Sequence, residues 1–278
     1  MHPALIVGIV CAAVILLFVF LLVPRVPGKK KYPFCGLNFA HRGLYDSDGP
    51  IPENSLPAFL KAAENGYGME LDVQLSRDGK VVVFHDDTLE RVCGVKKRVD
   101  ELDYEELVKL RLCGTDERIP LFEEVLNAVG GRTPIIVELK NGGRNEELCL
   151  KTLEFLRGYD GKACIESFNP MIVAWFRKHA PEVFRGQLAQ PPRLYSGEGV
   201  SGPTGFLLGN TLLNFLARPH FIAYRIGKKP PAVRIAELLG AVKIGWTSRA
   251  PENESAFDSL IFEHYLPDPV FKKRRDRR

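Results

Sequence analysis

The chain opens on an uncharged apolar run at residues 4–23 and then changes character, with apolar and polar positions alternating in short bursts over the remainder. A helix of 20 residues rises about 30 Å, the thickness of a bilayer's hydrocarbon core. The run therefore predicts a transmembrane helix. A cleaved signal peptide would carry a basic leader and a shorter apolar core, and Met1-His2-Pro3 has no Lys or Arg. Beyond the run, eight β-rich stretches recur between helix-like segments, at 37–40, 68–75, 135–139, 164–168, 185–188, 221–224, 242–246 and 259–262. This alternation predicts a closed parallel barrel. A ninth stretch, 81–85, follows the second strand after only five residues, whereas a parallel crossover needs about a dozen. It must return antiparallel through the turn at Asp78-Gly79, carrying His85 back toward the level of Glu70.

Charge sharpens the picture. The net charge of +4 conceals +4 in residues 1–31 and +5 in 270–278, which leaves −5 for the body between them. A mildly acidic body has no basic face for nucleic acid. Arg25, Lys29, Lys30 and Lys31 follow the apolar run and no basic residue precedes it, so the positive-inside rule predicts a single-pass membrane protein with its folded domain in the cytoplasm. Both basic segments suit anionic headgroups, although a solvated tail accounts equally well for the C-terminal one. Six scattered cysteines without a CxxC pair match neither a disulfide framework nor a zinc site. The expected division is an anchor with its linker at 1–31, one barrel of ordinary TIM length at 32–269, and a basic tail at 270–278.

Five polar residues fall where such a barrel gathers chemistry. Glu70 and Asp72 lie two apart on one strand, so both carboxylates share a face. Side-by-side carboxylates repel unless a proton or cation separates them, and hard oxygen donors suit Mg²⁺ or Ca²⁺. Glu138 closes the third barrel strand, with Lys140 on the same face, while His41 follows the first strand and Trp246 closes the seventh. Each has a plainer role open to it: His41 capping a loop, His85 closing the hairpin, Trp246 filling the barrel. Glu138 paired with Lys140 is the lesser alternative to a cation ligand. Glu53 and Asn54 either orient neighbouring groups or start a helix over 55–64.

The ordered set Ala40-His-Arg-Gly43, Pro52-Glu-Asn54, Glu70-Leu-Asp72, Phe84-His-Asp86, Val137-Glu-Leu-Lys140, Ser167-Phe-Asn169 and Trp246-Thr247 resembles the glycerophosphodiester phosphodiesterase family over about residues 39–267. The resemblance implies a TIM (β/α)8 barrel, with a hairpin extension of strand two and a small insertion, that uses one divalent cation. It implies Glu70, Asp72 and Glu138 as metal ligands and His41 and His85 as acid and base. Arg42 and Lys140 would hold phosphate oxygens, Arg42 by its planar fork and Lys140 as a point charge. The chain departs from the family near its end, reading Leu260-Ile-Phe-Glu-His264 where many relatives carry Asp. Residues 92–118 resemble the family's excursion after the second histidine, an expected wall of the mouth.

The implied reaction is metal-dependent hydrolysis of a glycerophosphodiester to an alcohol and sn-glycerol 3-phosphate, in lipid metabolism. A lysophospholipase D acting on lysophospholipids is the alternative within the class, and a non-catalytic headgroup sensor the alternative outside it. Residues 206–208 and 212–216 are apolar enough to form a lip beside the mouth, but a barrel helix needs such a face in any case. Chain ends on the face opposite the mouth would aim the mouth at the cytosol, which favours soluble diesters.

Overall fold

The computed structural model describes residues 2–25, 34–47 and 49–270. Lys29, Lys30, Lys31 and the tail 271–278, expected at the leaflet, lie outside the described residues. The strands are β1 (Asn38–Ala40), β2 (Gly68–Leu75), β3 (Val81–Val83), β4 (Ile135–Leu139), β5 (Ala163–Ser167), β6 (Arg185–Ala189), β7 (Phe221–Arg225), β8 (Val242–Ser248) and β9 (Ser259–Phe262). The helices are α1 (Pro3–Leu22), α2 (Leu56–Glu64), α3 (Glu90–Cys93), α4 (Tyr104–Leu107), α5 (Phe122–Val129) and α6 (Asn145–Arg157), then α7 (Pro170–His179), α8 (Pro192–Tyr195), α9 (Gly202–Gly209), α10 (Asn214–Ala217) and α11 (Pro231–Leu238).

Eight strands close into a parallel barrel in the order β1-β2-β4-β5-β6-β7-β8-β9, with β9 pairing back onto β1. β3 stands outside the closure, antiparallel to β2, with Val73 opposite Val83 and Leu75 opposite Val81. The expected hairpin is therefore present. It is shorter than its apolar run, because Phe84 leaves the ladder and donates its N–H to the Asp72 carbonyl at 3.0 Å. That bond fixes His85 beside the carboxyl half of β2.

Strand alternation divides the apolar residues between two layers. Met69, Leu71, Val73, Ile135, Val137 and Ile165 face outward against Phe59, Phe122, Val125 and Phe176 of the surrounding helices. Phe39, Ile136, Cys164, Phe221, Val242 and Ile244 fill the interior. The inward positions of β2, β4 and β5 then change from apolar to acidic toward the carboxyl ends, giving the barrel a dry floor and a charged mouth. Two of its floor rings fit because glycine faces them: a Cβ at Gly68 would lie 2.5 Å from the Phe39 ring, and one at Gly186 would lie 1.9 Å from that of Phe221.

Local signals set the helix starts that matter for the site. Ser55 is the N-cap of α2 rather than its first residue, accepting the Ala58 N–H at 3.3 Å, and Pro57 occupies the first turn. The excursion 92–118 has a satellite core of its own, in which Val92, Val99, Leu102, Leu107 and Leu112 pack against Val82 and Phe84 of the hairpin.

The helix α1 is an uncharged span of 20 residues, long and apolar enough to cross a membrane. Only its last turn meets the barrel, and it does so on the flank: Leu22 is buried with Ile222, Tyr224, Ala232, Val233 and Ala236.

Gly186→Ala should destabilise the barrel by about 1–3 kcal/mol through overpacking against Phe221. Urea denaturation tests this, and an unchanged midpoint would mean that the ring has other space to occupy.

Candidate active site

The site begins with the turn after β1. Arg42 and Gly43 both have positive φ, 56° and 79°, and a Cβ at Gly43 would lie 2.8 Å from the backbone of Ala58. Glycine is needed there for conformation and for space. The left-handed Arg42 turns its N–H onto Glu70 Oε2 at 3.0 Å. Asn54, also at positive φ, donates from Nδ2 to Asp72 Oδ2 at 2.8 Å. The loop before α2 thus holds both acids of β2 from one side.

Glu70, Asp72 and Glu138 are buried, and each offers an oxygen within 4.8 Å of the others. Parallel register sets Asp72 beside Glu138 and Glu138 beside Glu166, so a fourth buried acid extends the row. The Lys140 ammonium lies 2.8 Å from Glu138 Oε1 and 3.3 Å from Asp72 Oδ1. The ion pair treated as the lesser alternative is therefore formed, and Lys140 is engaged by acids rather than standing in the open cleft. Two forms of the same carboxyl chemistry result. Burial pushes Asp72 up, but Lys140, His85 and Arg42 outweigh it and hold the group well below the usual carboxylate range. Glu70 and Glu166 have no cationic side chain in ion-pair contact among the described residues, and burial reinforced by neighbouring carboxylates holds both well above that range.

These residues fit a divalent cation. Three hard oxygen donors converge, four buried carboxyl groups face only Lys140 and Arg42, and Glu166 Oε2 and Arg42 Nε are buried with no hydrogen-bond partner among the described residues. Groups left unpaired in a low-dielectric pocket are the ones a bound cation and anion would satisfy.

Each histidine is held from behind. His41 Nδ1 lies 2.7 Å from Glu263 Oε2, and Arg249 grips the other oxygen of that carboxylate at 2.6 and 2.8 Å. His85 Nδ1 lies 2.6 Å from Asp86 Oδ1, and Arg91 bonds Asp86 from the far side while donating two more bonds to Glu53. Glu53 in turn accepts from Arg42 at 2.8 Å. Burial pushes the Glu263 carboxyl up, but His41 and Arg249 outweigh it and hold it down to about 2. Hydrogen bonds from His85 and Arg91 likewise overcome the burial of Asp86 and depress it strongly. An ionised carboxylate can only accept, so Nδ1 of each ring carries a proton, and Nε2 is the nitrogen left for proton transfer.

Both rings line a cavity of 620 Å³ with Arg42, Glu70, Glu138 and Glu166, and Phe168 and Trp246 form an apolar wall. Trp246 is anchored by its Nε1–H to the carbonyls of Ala223 and Ala189 and meets Phe168 edge-on at 5.4 Å. None of residues 92–118 lines the cavity. Arg91, just before them, does.

Glu263, Asp86, Arg91 and Glu166 were not singled out from sequence as site residues. Asp86 stood beside His85, and Glu263 occupied the stretch that departs from the family pattern. Glu166 was recoverable from strand alternation, since it shares a face with Cys164. The Arg91 bridge depends on the path of a loop and had no local signal.

Comparison with known proteins agrees with this construction. The glycerophosphoryl diester phosphodiesterase family model matches residues 41–263. A glycerophosphodiester phosphodiesterase from Caldanaerobacter subterraneus is 36% identical over 55% of this chain and 67% of its own length. The human lysophospholipase D GDPD1 is 37% identical over 48% of this chain and 44% of its own. The chain thus spans about two thirds of the bacterial relative and under half of the human one. The structure of an Oleispira antarctica phosphodiesterase in complex with the product sn-glycerol-3-phosphate shares the fold, at 23% identity and a TM-score of 0.68, covering 83% of this chain and 94% of that one.

Burial lowers the His41 pKa, and the hydrogen bond that the ring donates to Glu263 opposes it. Removing that carboxylate in Glu263→Gln should move the His41 ring titration to lower pH in an NMR titration. A midpoint that stays or rises would show that Glu263 does not act on the ring. Matched by the family model from His41 to Glu263, the chain belongs to the glycerophosphoryl diester phosphodiesterase family, a family of phosphoric diester hydrolases.

Proposed function

We propose that this chain hydrolyses a glycerophosphodiester to an alcohol and sn-glycerol 3-phosphate, as a step of lipid metabolism. The observation that carries the reading is the convergence of two carboxylate-held histidines and three cation-fitting acids on one cleft. A phosphodiester is an anion with a poor alkoxide leaving group, so it needs charge neutralisation and proton transfer on both sides of phosphorus. Glu70, Asp72 and Glu138 hold one divalent cation, Mg²⁺ or Ca²⁺, which when bound neutralises phosphate charge. Arg42, whose Nε lies 3.7 Å from Asp72 Oδ2 without a hydrogen bond, turns its guanidinium to a phosphate oxygen. Lys140 helps to keep Asp72 ionised and adds positive charge beneath the phosphate. His41 and His85 take and give the two protons at Nε2, each buttressed by its carboxylate. Glu53 and Asn54 act one layer out, on Arg42 and on Asp72, and Trp246 walls the alcohol side.

The charged lining favours a water-soluble diester. A second reading, lysophospholipase D action, draws support from the apolar helix on the barrel's flank and from the name of the human relative. We place residues 1–31 as anchor and linker, 32–269 as a cytoplasmic catalytic domain and 270–278 as a basic tail, with α1 crossing the membrane once.

Full-length protein incubated with glycerophosphocholine should release glycerol 3-phosphate, with activity lost in EDTA and restored by Mg²⁺ or Ca²⁺. Choline release from lysophosphatidylcholine alone would favour the second reading, and cation binding without turnover of either would favour a headgroup sensor. His41→Ala and His85→Ala should each reduce turnover by about 10²–10⁴ without unfolding the protein; near-normal rates in both would remove the acid-base assignment. Glu70→Gln should shift the cation dependence to higher concentration, and an unchanged titration would contradict its role as a ligand.

A further inference from the structure

The connection from β6 to β7 differs from the other barrel crossovers in composition. Residues 199–217 contain no charged side chain in a chain that is 26% charged. They form α9 and α10, and on α9 Phe206 and Leu207 remain 55% and 39% exposed. An uncharged surface segment with exposed large apolar side chains marks an interaction site.

Its neighbours indicate which kind. The last turn of α1 is clamped to the same connection: Asn214 Nδ2 donates to the Leu22 carbonyl at 3.2 Å, and Arg218 donates to the carbonyls of Phe20 and Val23 at 2.9 and 2.7 Å. Phe215 of α10 meets Phe20 at 5.9 Å, and the Arg218 guanidinium lies over the Phe20 ring at 4.7 Å. Leu212 packs on the cluster that buries Leu22. The exit from the membrane helix and the uncharged segment are therefore one continuous surface.

Around that exit stand Arg25, Arg177, Arg185 and Arg218. Arg177 donates to the carbonyls of Phe215 and Leu216, and the Arg25 N–H donates to the Pro219 carbonyl. None of the four has an acidic partner within ion-pair distance among the described residues. Burial, added to by Arg25 and Arg177, pushes Arg185 down to about 10, which marks the cluster as uncompensated positive charge. Arg185 is itself fully buried, its guanidinium donating to the carbonyls of Ala217, Val183 and Arg218, so the apolar side chains are bordered by the exposed Arg25 and Arg177 and the half-buried Arg218, which match the acyl boundary and the anionic headgroups of a leaflet.

At its other end the segment approaches the mouth. α8 and α9 pack together, with Gly205 close against Tyr195, and Tyr195 meets Phe168 edge-on at 6.3 Å, the residue that walls the cleft with Trp246.

We infer that the β6–β7 connection, through Phe206, Leu207 and the arginines around the end of α1, rests on an anionic lipid surface, so that the barrel lies on its flank with one edge of the cleft beside the leaflet. This inference rests on the reading that α1 spans the membrane. The side of the barrel across from β7, at β2 and the neighbouring helix α5, faces away.

The test uses the full chain in vesicles of phosphatidylcholine and phosphatidylserine, with a photoreactive benzoylphenylalanine placed singly at Phe18 in α1, Phe206 in α9 or Glu123 in α5. Lipid adducts at 18 and 206, several times those at 123, are expected, and leaving out phosphatidylserine should lower the yield at 206 several-fold. Adducts at 18 with none above the 123 level at 206 would overturn the flank contact and leave the anchor standing. No adducts at 18 would remove the anchor reading, and this inference with it. A yield at 206 indifferent to anionic lipid would overturn the part assigned to the arginines.

Discussion

Mutual repulsion among buried carboxylates is the constraint around which this barrel is built. Glu70, Asp72, Glu138 and Glu166 sit side by side where three parallel strands end, an arrangement that costs free energy in any water-poor environment. The protein meets part of that cost with Lys140, with the Arg42 backbone N–H and with Asn54. It leaves the rest uncompensated. Every neighbouring feature serves that imbalance: the left-handed turn at Arg42 and Gly43, the capped start of α2, and the apolar floor that keeps the acids from relaxing downward.

The histidines belong to a separate support system. One is braced by Glu263 and Arg249, just past the ends of β9 and β8, the other by Asp86 and Arg91 beyond the hairpin. The two braces are built from the same parts in the same order, imidazole to carboxylate to guanidinium. They arise from unrelated segments of chain. Glu53 joins one brace to the acidic row through Arg42, so the orientation of His85 and the position of the phosphate-facing arginine are mechanically linked.

Much of this was legible in residue order. Short β-rich runs between helix-like segments located all nine strands, and the short Asp78-Gly79 link settled that β3 runs antiparallel. Period-two alternation put Glu70 and Asp72 on one face of their strand and Glu138 on a face with Lys140. What could not be read was whatever depends on two distant segments meeting: the Arg91 bridge to Glu53, the hold of Glu263 on His41, and the seat of α1 on the flank of β7. Lys140 shows the limit from the other side. Its face on the strand was inferred correctly, but only the distances to Glu138 and Asp72 show that acids already engage it. The excursion after His85 was expected at the mouth, and its apolar residues instead turned back onto Val82 and Phe84, because a hairpin outside the barrel has an outer face that must be covered.

That covered hairpin gives the protein two scales of stability. His85 follows a strand that takes no part in closing the barrel and is held down by a small core of its own. Such a unit can open and close while the barrel remains folded. Opening would carry away one histidine with its carboxylate and arginine and leave the acidic row in place. Changes confined to the satellite core, such as those at Val99 or Leu107, would then alter the fraction of molecules that are competent at a given moment, although the barrel itself unfolds no more readily.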